Sequence, residues 1–208
     1  MENSQRLEEY IRMPYKVERL GIMVGMLLGD ASIVKKYQKN IVICHSEPQR
    51  LYFYWKCEVL SSMGYKQHKI REMHPVVNGK AYNTAYIVDF SGEKIQWFYD
   101  RFYGGGKRHI SIQLLRHLNP YGLAIWFMDD GNRHDKGGKQ VCLNTQAYSY
   151  EEQIVLQKWF KNKYNLDCSI QKDKKYFKLY FGMQNKTAER FISLILPFIH
   201  PTMMYKVR

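Results

Sequence analysis

The sequence predicts an α+β protein made of two similar halves, each with the element order αββαββα. Two apolar runs, 23–31 and 123–131, both end in an aspartate followed by a small residue, and Asp30 lies 100 positions before Asp130. Strand-like and helix-like runs follow both of them in the same order. Three consecutive glycines, 104–106, separate the two series and interrupt regular structure there.

The elements of the two halves correspond one by one. β-Prone residues predict a strand at 40–44 and another at 140–144. A helix with apolar residues at three-to-four spacing follows each strand, and Ser149 with Glu152 forms a capping box. The later elements are predicted strand pairs at 65–71 with 85–90 and 166–171 with 176–181, and closing helices at 92–102 and 186–196. Asn119 before Pro120 predicts a helix start. We place the first repeat at residues 1–105 and the second at 106–208.

The charge of the chain points to a polyanionic partner. Thirty-two Lys and Arg against nineteen Asp and Glu give a formal net charge of +13. Such a surplus attracts nucleic acid or an anionic membrane surface, and a basic protein with neither partner stays open as the alternative. The apolar run 20–28 is too short to span a bilayer, so no membrane span is expected. The four cysteines lack the spacing of a zinc site or a disulfide framework and are predicted to be reduced.

Glycines at every fourth position predict a close helix pair. Gly21, Gly25 and Gly29 line one face of the first apolar helix, where a second helix backbone could approach. If the run 123–131 is the partner, the two aspartates arrive at the same end. The second helix has Ile125 and Asp129 at the equivalent positions, so it keeps the small-residue spacing less well.

Two carboxylates at adjacent helix ends predict a cation between them. Each carboxylate adds to the negative end of its helix dipole, and the pair repel each other. Magnesium prefers oxygen ligands and would reverse both penalties, with duplex phosphates completing its coordination. Lys107 and Lys206, 99 positions apart, could order an attacking water or offset developing charge. Solvated helix ends are the plain alternative for either aspartate alone.

Both runs resemble the signature motif of the LAGLIDADG homing endonucleases, which passes through small and apolar positions to an acidic residue. The match is sharpest over 123–146 and at Met203–Lys206. The resemblance implies a monomer with two motifs, encoded in an intron, whose antiparallel sheets form a saddle in the DNA major groove. It implies cleavage of one phosphodiester per strand within a long asymmetric target.

The resemblance also assigns residues and cofactors. Catalysis falls to the acidic residue of each motif and the basic residue that follows the last helix of each repeat, namely Asp30, Asp130, Lys107 and Lys206. Metal contacts fall on each acidic residue and its successor: Asp30, Ala31, Asp130 and Gly131. Mg²⁺ is the expected cofactor, with Mn²⁺ able to substitute and Ca²⁺ expected to bind without supporting cleavage. Asp129 lies one place early in the motif and is expected to face a helix flank.

Basic and aromatic residues of the predicted strands and nearby loops are the candidate DNA contacts. Because Arg reads guanine directly whereas Lys more often holds phosphates, Arg71 is the best base-reading candidate. The predicted DNA-binding residues are Lys66, Lys69, Arg71, Tyr86, Arg133, Lys139, Gln146, Lys172, Lys174, Lys175 and Lys178.

The main alternative function is an intron RNA maturase built on the same scaffold, without nuclease activity. A DNA-binding regulator of the same fold is a further alternative, although its motifs would normally be degraded. A membrane-surface protein would need an amphipathic helix with a strongly basic face, which the sequence lacks. The expected partner is double-stranded DNA. The expected location is inside the cell, in a mitochondrion, a chloroplast or a prokaryotic cytoplasm.

Overall fold

The computed structural model describes residues 16–35, 38–133 and 140–208, except for the side chains of residues 16, 17, 77 and 105. These residues form two compact units. The first contains the described parts of 1–19 and 31–96, and the second those of 20–30 and 97–208. The first motif helix therefore contributes most of its length to the second unit, where the second motif helix also lies.

The first series of elements is mixed helix and strand. In chain order it contains α1 (Lys16–Leu28), β1 (Ser32–Lys35), β2 (Lys39–Ser46), α2 (Arg50–Ser62), β3 (Lys66–Gln67), β4 (Arg71–Met73), β5 (Val76–Val77), β6 (Lys80–Ala81), β7 (Ala85–Ser91) and α3 (Ile95–Phe102). The sheet is antiparallel with order β1-β2-β7-β3, β4 also pairs with β7, and β5 and β6 form a separate hairpin.

The second series repeats this order. After a short helix α4 (Ile112–Leu115) come α5 (Pro120–Asp130), β8 (Gly131–Arg133), β9 (Val141–Leu143), α6 (Tyr150–Tyr164), β10 (Ser169–Asp173), β11 (Tyr176–Phe181) and α7 (Thr187–Ile195). The four-stranded antiparallel sheet has the order β10-β11-β9-β8, in which β8, β9 and β11 correspond to β1, β2 and β7, and β10 takes the place that β3 and β4 share. The predicted α+β class and the repeated αββαββα order are confirmed.

Each unit has its own apolar core. In the first, Ile43, Val88 and Phe90 of the sheet and Phe53 of α2 are fully buried. In the second, the rings of Phe127, Phe160, Phe181 and Phe191 pack against one another with centroid separations of 4.5 to 6.1 Å. Such aromatic clusters bury large apolar areas and fix the motif helix against its sheet.

Local capping signals placed the helix starts correctly. The Asn119 side chain accepts a hydrogen bond from Gly122 N at 2.8 Å. The Ser149 and Glu152 capping box is formed in both directions. The predicted helix 92–102 begins instead at Ile95.

The predicted strand 65–71 is interrupted. Gln67 pairs with Phe90 and Arg71 pairs with Ile87. Arg71 is four residues after Gln67, whereas Ile87 is only three residues before Phe90. One extra residue is therefore inserted between β3 and β4, as in a β-bulge, and the alternation of side chains changes phase there.

The four cysteines are free, as predicted. Among the helices that the structure describes, none has both the length and the hydrophobicity needed to cross a bilayer.

Candidate functional site

The two motif helices are in backbone contact within the second unit. A Cβ added to Gly25 would lie 2.0 Å from the Gly122 carbonyl oxygen, and one added to Gly122 would lie 2.0 Å from the Gly21 carbonyl oxygen. Only glycine permits this approach. The predicted small-residue face of α1 is therefore the helix contact, and it brings the C-terminal ends of α1 and α5 together.

Asp129 joins the two motifs at that end. Its carboxylate accepts a hydrogen bond from the backbone N–H of Asp30 at 3.0 Å. Side-chain oxygens of the two aspartates lie within 4.8 Å of each other. A Cβ on Gly29 would meet the Asp129 carboxylate at 2.3 Å. Asp129 was expected to face a helix flank, but it points at the opposite motif, because Gly29 leaves room for it.

Asp130 adds a third carboxyl group, which interacts electrostatically with Asp30 and Asp129. Burial, together with the negative charges of Asp30 and Asp129, raises the pKa of Asp130 from 3.8 to about 7. An acidic group in this position holds a proton near neutral pH unless a cation replaces it. The carboxylate oxygens of Asp30 and Asp129, within 4.8 Å of each other, are close enough to share one ion, and oxygen donors of like charge suit a hard divalent cation such as the predicted Mg²⁺. Ala31 and Gly131 have no side-chain donor and could contribute only carbonyl oxygens.

Lys206 lies beside the second motif, as its sequence position suggested. Its ammonium donates to the carbonyl oxygen of Asp129 at 2.9 Å and lowers the pKa of Asp130. The final 3₁₀ helix, Pro201–Lys206, is held by His200 N, which donates to Met128 Sδ at 3.1 Å. Arg133 further holds the segment by donating to Val207 O at 2.6 Å. A cation is thus fixed at the end of the second motif helix.

Arg108 takes the corresponding place at the first motif. Its guanidinium donates to the Gly29 carbonyl oxygen at 3.0 Å and lowers the pKa of Asp130. Gly29 and Asp129 are 100 positions apart in the repeat, so Arg108 and Lys206 hold equivalent carbonyls. The predicted residue Lys107 is exposed, whereas Arg108 is half-buried. The geometry therefore favours Arg108 over Lys107 as the basic partner of the first motif.

A family model matches most of the chain. The model of the LAGLIDADG DNA endonuclease family matches residues 20–188, which include both motif helices. This chain belongs to the LAGLIDADG family.

Relatives of this LAGLIDADG protein include an mRNA maturase and RecA proteins. The cytochrome b mRNA maturase bI2 of Debaryomyces hansenii is 29% identical over 93% of this chain and 75% of the relative. The RecA protein of Mycobacterium gastri is 27% identical over 89% of this chain, and the chain spans only 46% of its length. The chain thus covers about half of the RecA proteins that it matches.

Solved structures share the fold. The homing endonuclease I-WcaI, bound to its DNA recognition sequence, superposes with a TM-score of 0.79 at 23% identity, over 97% of this chain and 92% of that one. A single-residue variant of the homing endonuclease I-DmoI, solved with its target DNA and manganese, gives 0.56 at 14% identity, over 89% and 98%.

The first sheet presents several of the predicted DNA contacts to solvent. Lys66, Lys69 and Arg71 are all exposed on or between β3 and β4. Arg71 is also paired with Asp89 on β7 at 2.6 Å. Tyr86 is only 6% exposed, and its hydroxyl donates to Glu47. Since its ring is in the core, the geometry does not favour the predicted DNA contact at Tyr86.

The β10–β11 hairpin of the second unit holds most of the others. Lys172, Lys174 and Lys175 are exposed. Lys178 pairs with Asp173 at 2.8 Å, and Gln146 donates to the same carboxylate at 3.4 Å. The predicted residue Arg133 holds the C-terminal segment as described above, and Lys139 lies outside the described residues.

Sequence reasoning missed two of the residues that lie at the ends of the motif helices, Arg108 and Asp129. Arg108 stands next to Lys107, and its separation from Lys206 is 98 positions, so the repeat offset alone could not choose between the two basic residues. Gly29 and Asp129 hold equivalent positions in the two motifs. A missing side chain at one position and a carboxylate at the other was the signal that Asp129 fills the space beside Gly29.

Proposed function

We propose that this protein is a site-specific DNA endonuclease that cuts both strands of a long duplex target with the help of a divalent cation. One observation carries the proposal: the two motif helices bring Asp30, Asp129 and Asp130 together, with Arg108 and Lys206 beside them. The family membership supports the same reading, as does the fold shared with a homing endonuclease bound to DNA.

The carboxylates of Asp30 and Asp130 are proposed as the metal ligands, one from each motif. A Mg²⁺ or Mn²⁺ ion held there would supply Lewis acidity and a coordinated water of lowered pKa. Calcium would bind the same oxygens without supporting cleavage. Asp129 keeps the end of α1 in register, because its carboxylate is hydrogen-bonded to the Asp30 backbone.

The two cations complete the proposed mechanism. Arg108 and Lys206 are each fixed by a carbonyl at the end of a motif helix, so they need little reorganisation when negative charge develops on a phosphate. Exposed cations of the two sheets would neutralise the DNA backbone and release its counterions. We propose that the protein acts as a monomer, since one chain supplies both motifs, and in the compartment that carries its intron.

Selection from a duplex library tests the proposal directly. The protein is incubated with randomised duplexes and magnesium, and the cut ends are sequenced. We expect a single long target, cut on both strands, and no product with EDTA. Asp30→Asn and Asp130→Asn should each block at least one strand while target affinity in calcium is retained. Complete double-strand cleavage by either variant would remove that residue from the catalytic assignment.

A role in intron RNA splicing is the second candidate, because a cytochrome b mRNA maturase is among the relatives. The same variants separate the two functions. A splicing helper needs a binding surface but not the carboxylate cluster, so Asp30→Asn should leave splicing intact while stopping DNA cleavage. Splicing activity combined with no cleavage of any selected duplex would favour the maturase function.

A further inference from the structure

Arg108 is held by residues at the start of α6. The segment after Arg108 is tied there by a hydrogen bond from Ile110 N to Glu152 Oε1 at 2.6 Å. The guanidinium itself lies over the ring of Tyr148, with the carbon 5.9 Å from the ring centroid. The basic partner of the first motif therefore depends on a helix that belongs to the second repeat.

Glu152 uses both of its carboxylate oxygens. Oε2 accepts a hydrogen bond from Ser149 N at 2.7 Å and closes the capping box, while Oε1 accepts the one from Ile110 N. A capping box needs only the first of these bonds. The second bond is additional, and it fixes the backbone two residues after Arg108.

Tyr148 supports the guanidinium by its ring rather than its hydroxyl. The residue is 5% exposed, and among the described residues neither its hydroxyl oxygen nor Arg108 Nε has a hydrogen-bond partner. Burial raises the pKa of Tyr148 to about 12, so the ring stays neutral at physiological pH. A buried ring face attracts a cation and limits the positions that its side chain can take.

We propose that Tyr148 and Glu152 are positioning residues that hold Arg108 against the end of the first motif helix. Glu152 fixes the backbone of the segment, and Tyr148 fixes the direction of the side chain. Without either one, Arg108 leaves the Gly29 carbonyl and no longer faces the carboxylates. This inference rests on the proposed endonuclease function, and it concerns the cutting step rather than DNA affinity.

Strand-resolved cleavage tests the inference. Wild-type protein and variants are mixed in excess with the selected target, labelled differently on each strand, and single-turnover rates are measured for both strands. Arg108→Ala should slow one strand about 10- to 100-fold, as expected when a group near the reacting atoms is misplaced, and nicked DNA should accumulate. Lys206→Ala should slow cleavage of the other strand, so that the nick accumulates on the opposite side. Arg108→Lys should stay within a few-fold of wild type, because a lysine already fills the equivalent place at Asp129.

Variants of the positioning residues should show the same strand bias in cleavage as Arg108→Ala. Glu152→Gln can accept only one of the two hydrogen bonds and should show the same strand bias with unchanged DNA affinity in calcium. Tyr148→Ala should do likewise, whereas Tyr148→Phe keeps the ring and should cut both strands at the wild-type rate. Lys158→Ala, an exposed cation on the same helix, is the matched control.

Each other outcome overturns a specific statement. Equal slowing of both strands, together with a lower melting temperature, would make Tyr148 and Glu152 ordinary structural residues. Strand bias from Lys107→Ala but not from Arg108→Ala would assign the role to Lys107 and end the positioning proposal. If wild-type protein cuts no duplex at all, the proposed endonuclease function fails, and the inference fails with it.

Discussion

The carboxylate of Asp129 accepts the backbone N–H of Asp30 at 3.0 Å, so a side chain of one motif holds the backbone that follows the helix of the other. A backbone N–H just past the end of a helix needs such a partner, because no strand or helix provides one there. The bond also fixes the Asp30 backbone relative to the second motif. The two motif helices are therefore aligned at their C-terminal ends by a specific polar contact as well as by glycine packing.

Asp129→Ala should lower the free energy of unfolding by about 1 kcal/mol, the usual contribution of one hydrogen bond. Asp129→Asn keeps an oxygen that can accept the same bond and removes one of three like charges, so it should be as stable as wild type in EDTA. Urea denaturation of the three proteins measures the difference. An equal loss in both variants would show that the charge of Asp129, rather than its acceptor oxygen, stabilises the fold.

The glycine contact between the motif helices gives a larger predicted effect. Gly25→Ala places a methyl group 2.0 Å from the Gly122 carbonyl oxygen, so the helices must separate. We expect a loss of about 1–3 kcal/mol or more, as for other overpacked sites. The measurement is the midpoint of urea or thermal unfolding.

Gly182→Ala is the matched control within the same unit. Among the described atoms, none lies within 4 Å of a Cβ added at Gly182, and the change should stay within about 0.5 kcal/mol of wild type. If Gly25→Ala and Gly182→Ala were equally stable, the close helix approach would not exist in solution. Failure of Gly25→Ala to fold is the extreme form of the expected loss.

The raised pKa of Asp130 predicts how stability changes with pH. Its pKa is about 7 in the folded protein and 3.8 ordinarily, so the folded state holds a proton that the unfolded state releases. The stability of the metal-free protein should therefore fall as pH rises from about 4 to 7 and stay low above that. Asp130→Asn removes this dependence and should melt several degrees higher than wild type at pH 8, but not at pH 4.

The measurement is a series of thermal melts in EDTA across this pH range. Glu189→Gln changes an exposed carboxylate of α7 and should melt like wild type throughout. Magnesium should raise the melting temperature of the wild type at pH 8, since a ligand that binds only the folded state stabilises it. A constant offset between Asp130→Asn and wild type at every pH would show that burial and like charges do not perturb this group.

Much of the fold could be predicted because its signals are local. Asn119 and Ser149 mark helix starts through side-chain hydrogen bonds to nearby backbone, and the strand 176–181 was placed at the bounds that the structure shows. The 100-residue offset carried the order of elements from one half to the other. Such features depend on neighbouring residues, so one sequence is enough to find them.

The parts that could not be predicted depend on how helices and segments meet. The sequence predicted that α5 would meet the glycine face of α1, but not that Gly122 would make the backbone contact, because the helices cross at a point that periodicity does not define. The choice of Arg108 over Lys107 likewise depends on a bond between Ile110 and Glu152, 42 residues apart in sequence.

The exposed cations of the first sheet should divide into base-reading and phosphate-binding residues. Arg71→Ala should weaken binding by about 1–3 kcal/mol for the selected target and relax its preference at a single base pair, because an arginine fork recognises guanine. Lys69→Ala should weaken binding to every duplex and reduce the slope of log affinity against log salt by about 1. Fluorescence anisotropy in calcium, with targets substituted one base pair at a time, measures both.

Asp89 makes this distinction sharper. In the free protein its carboxylate pairs with Arg71 at 2.6 Å, so this bond is exchanged when the guanidinium turns to a base. Asp89→Asn should weaken the competing bond and so increase affinity for the selected target. The increase should be larger when Arg71 is present than in the Arg71→Ala variant. An affinity gain of equal size in both backgrounds would indicate a general charge effect, and an equal loss on all duplexes from Arg71→Ala would make Arg71 a phosphate contact.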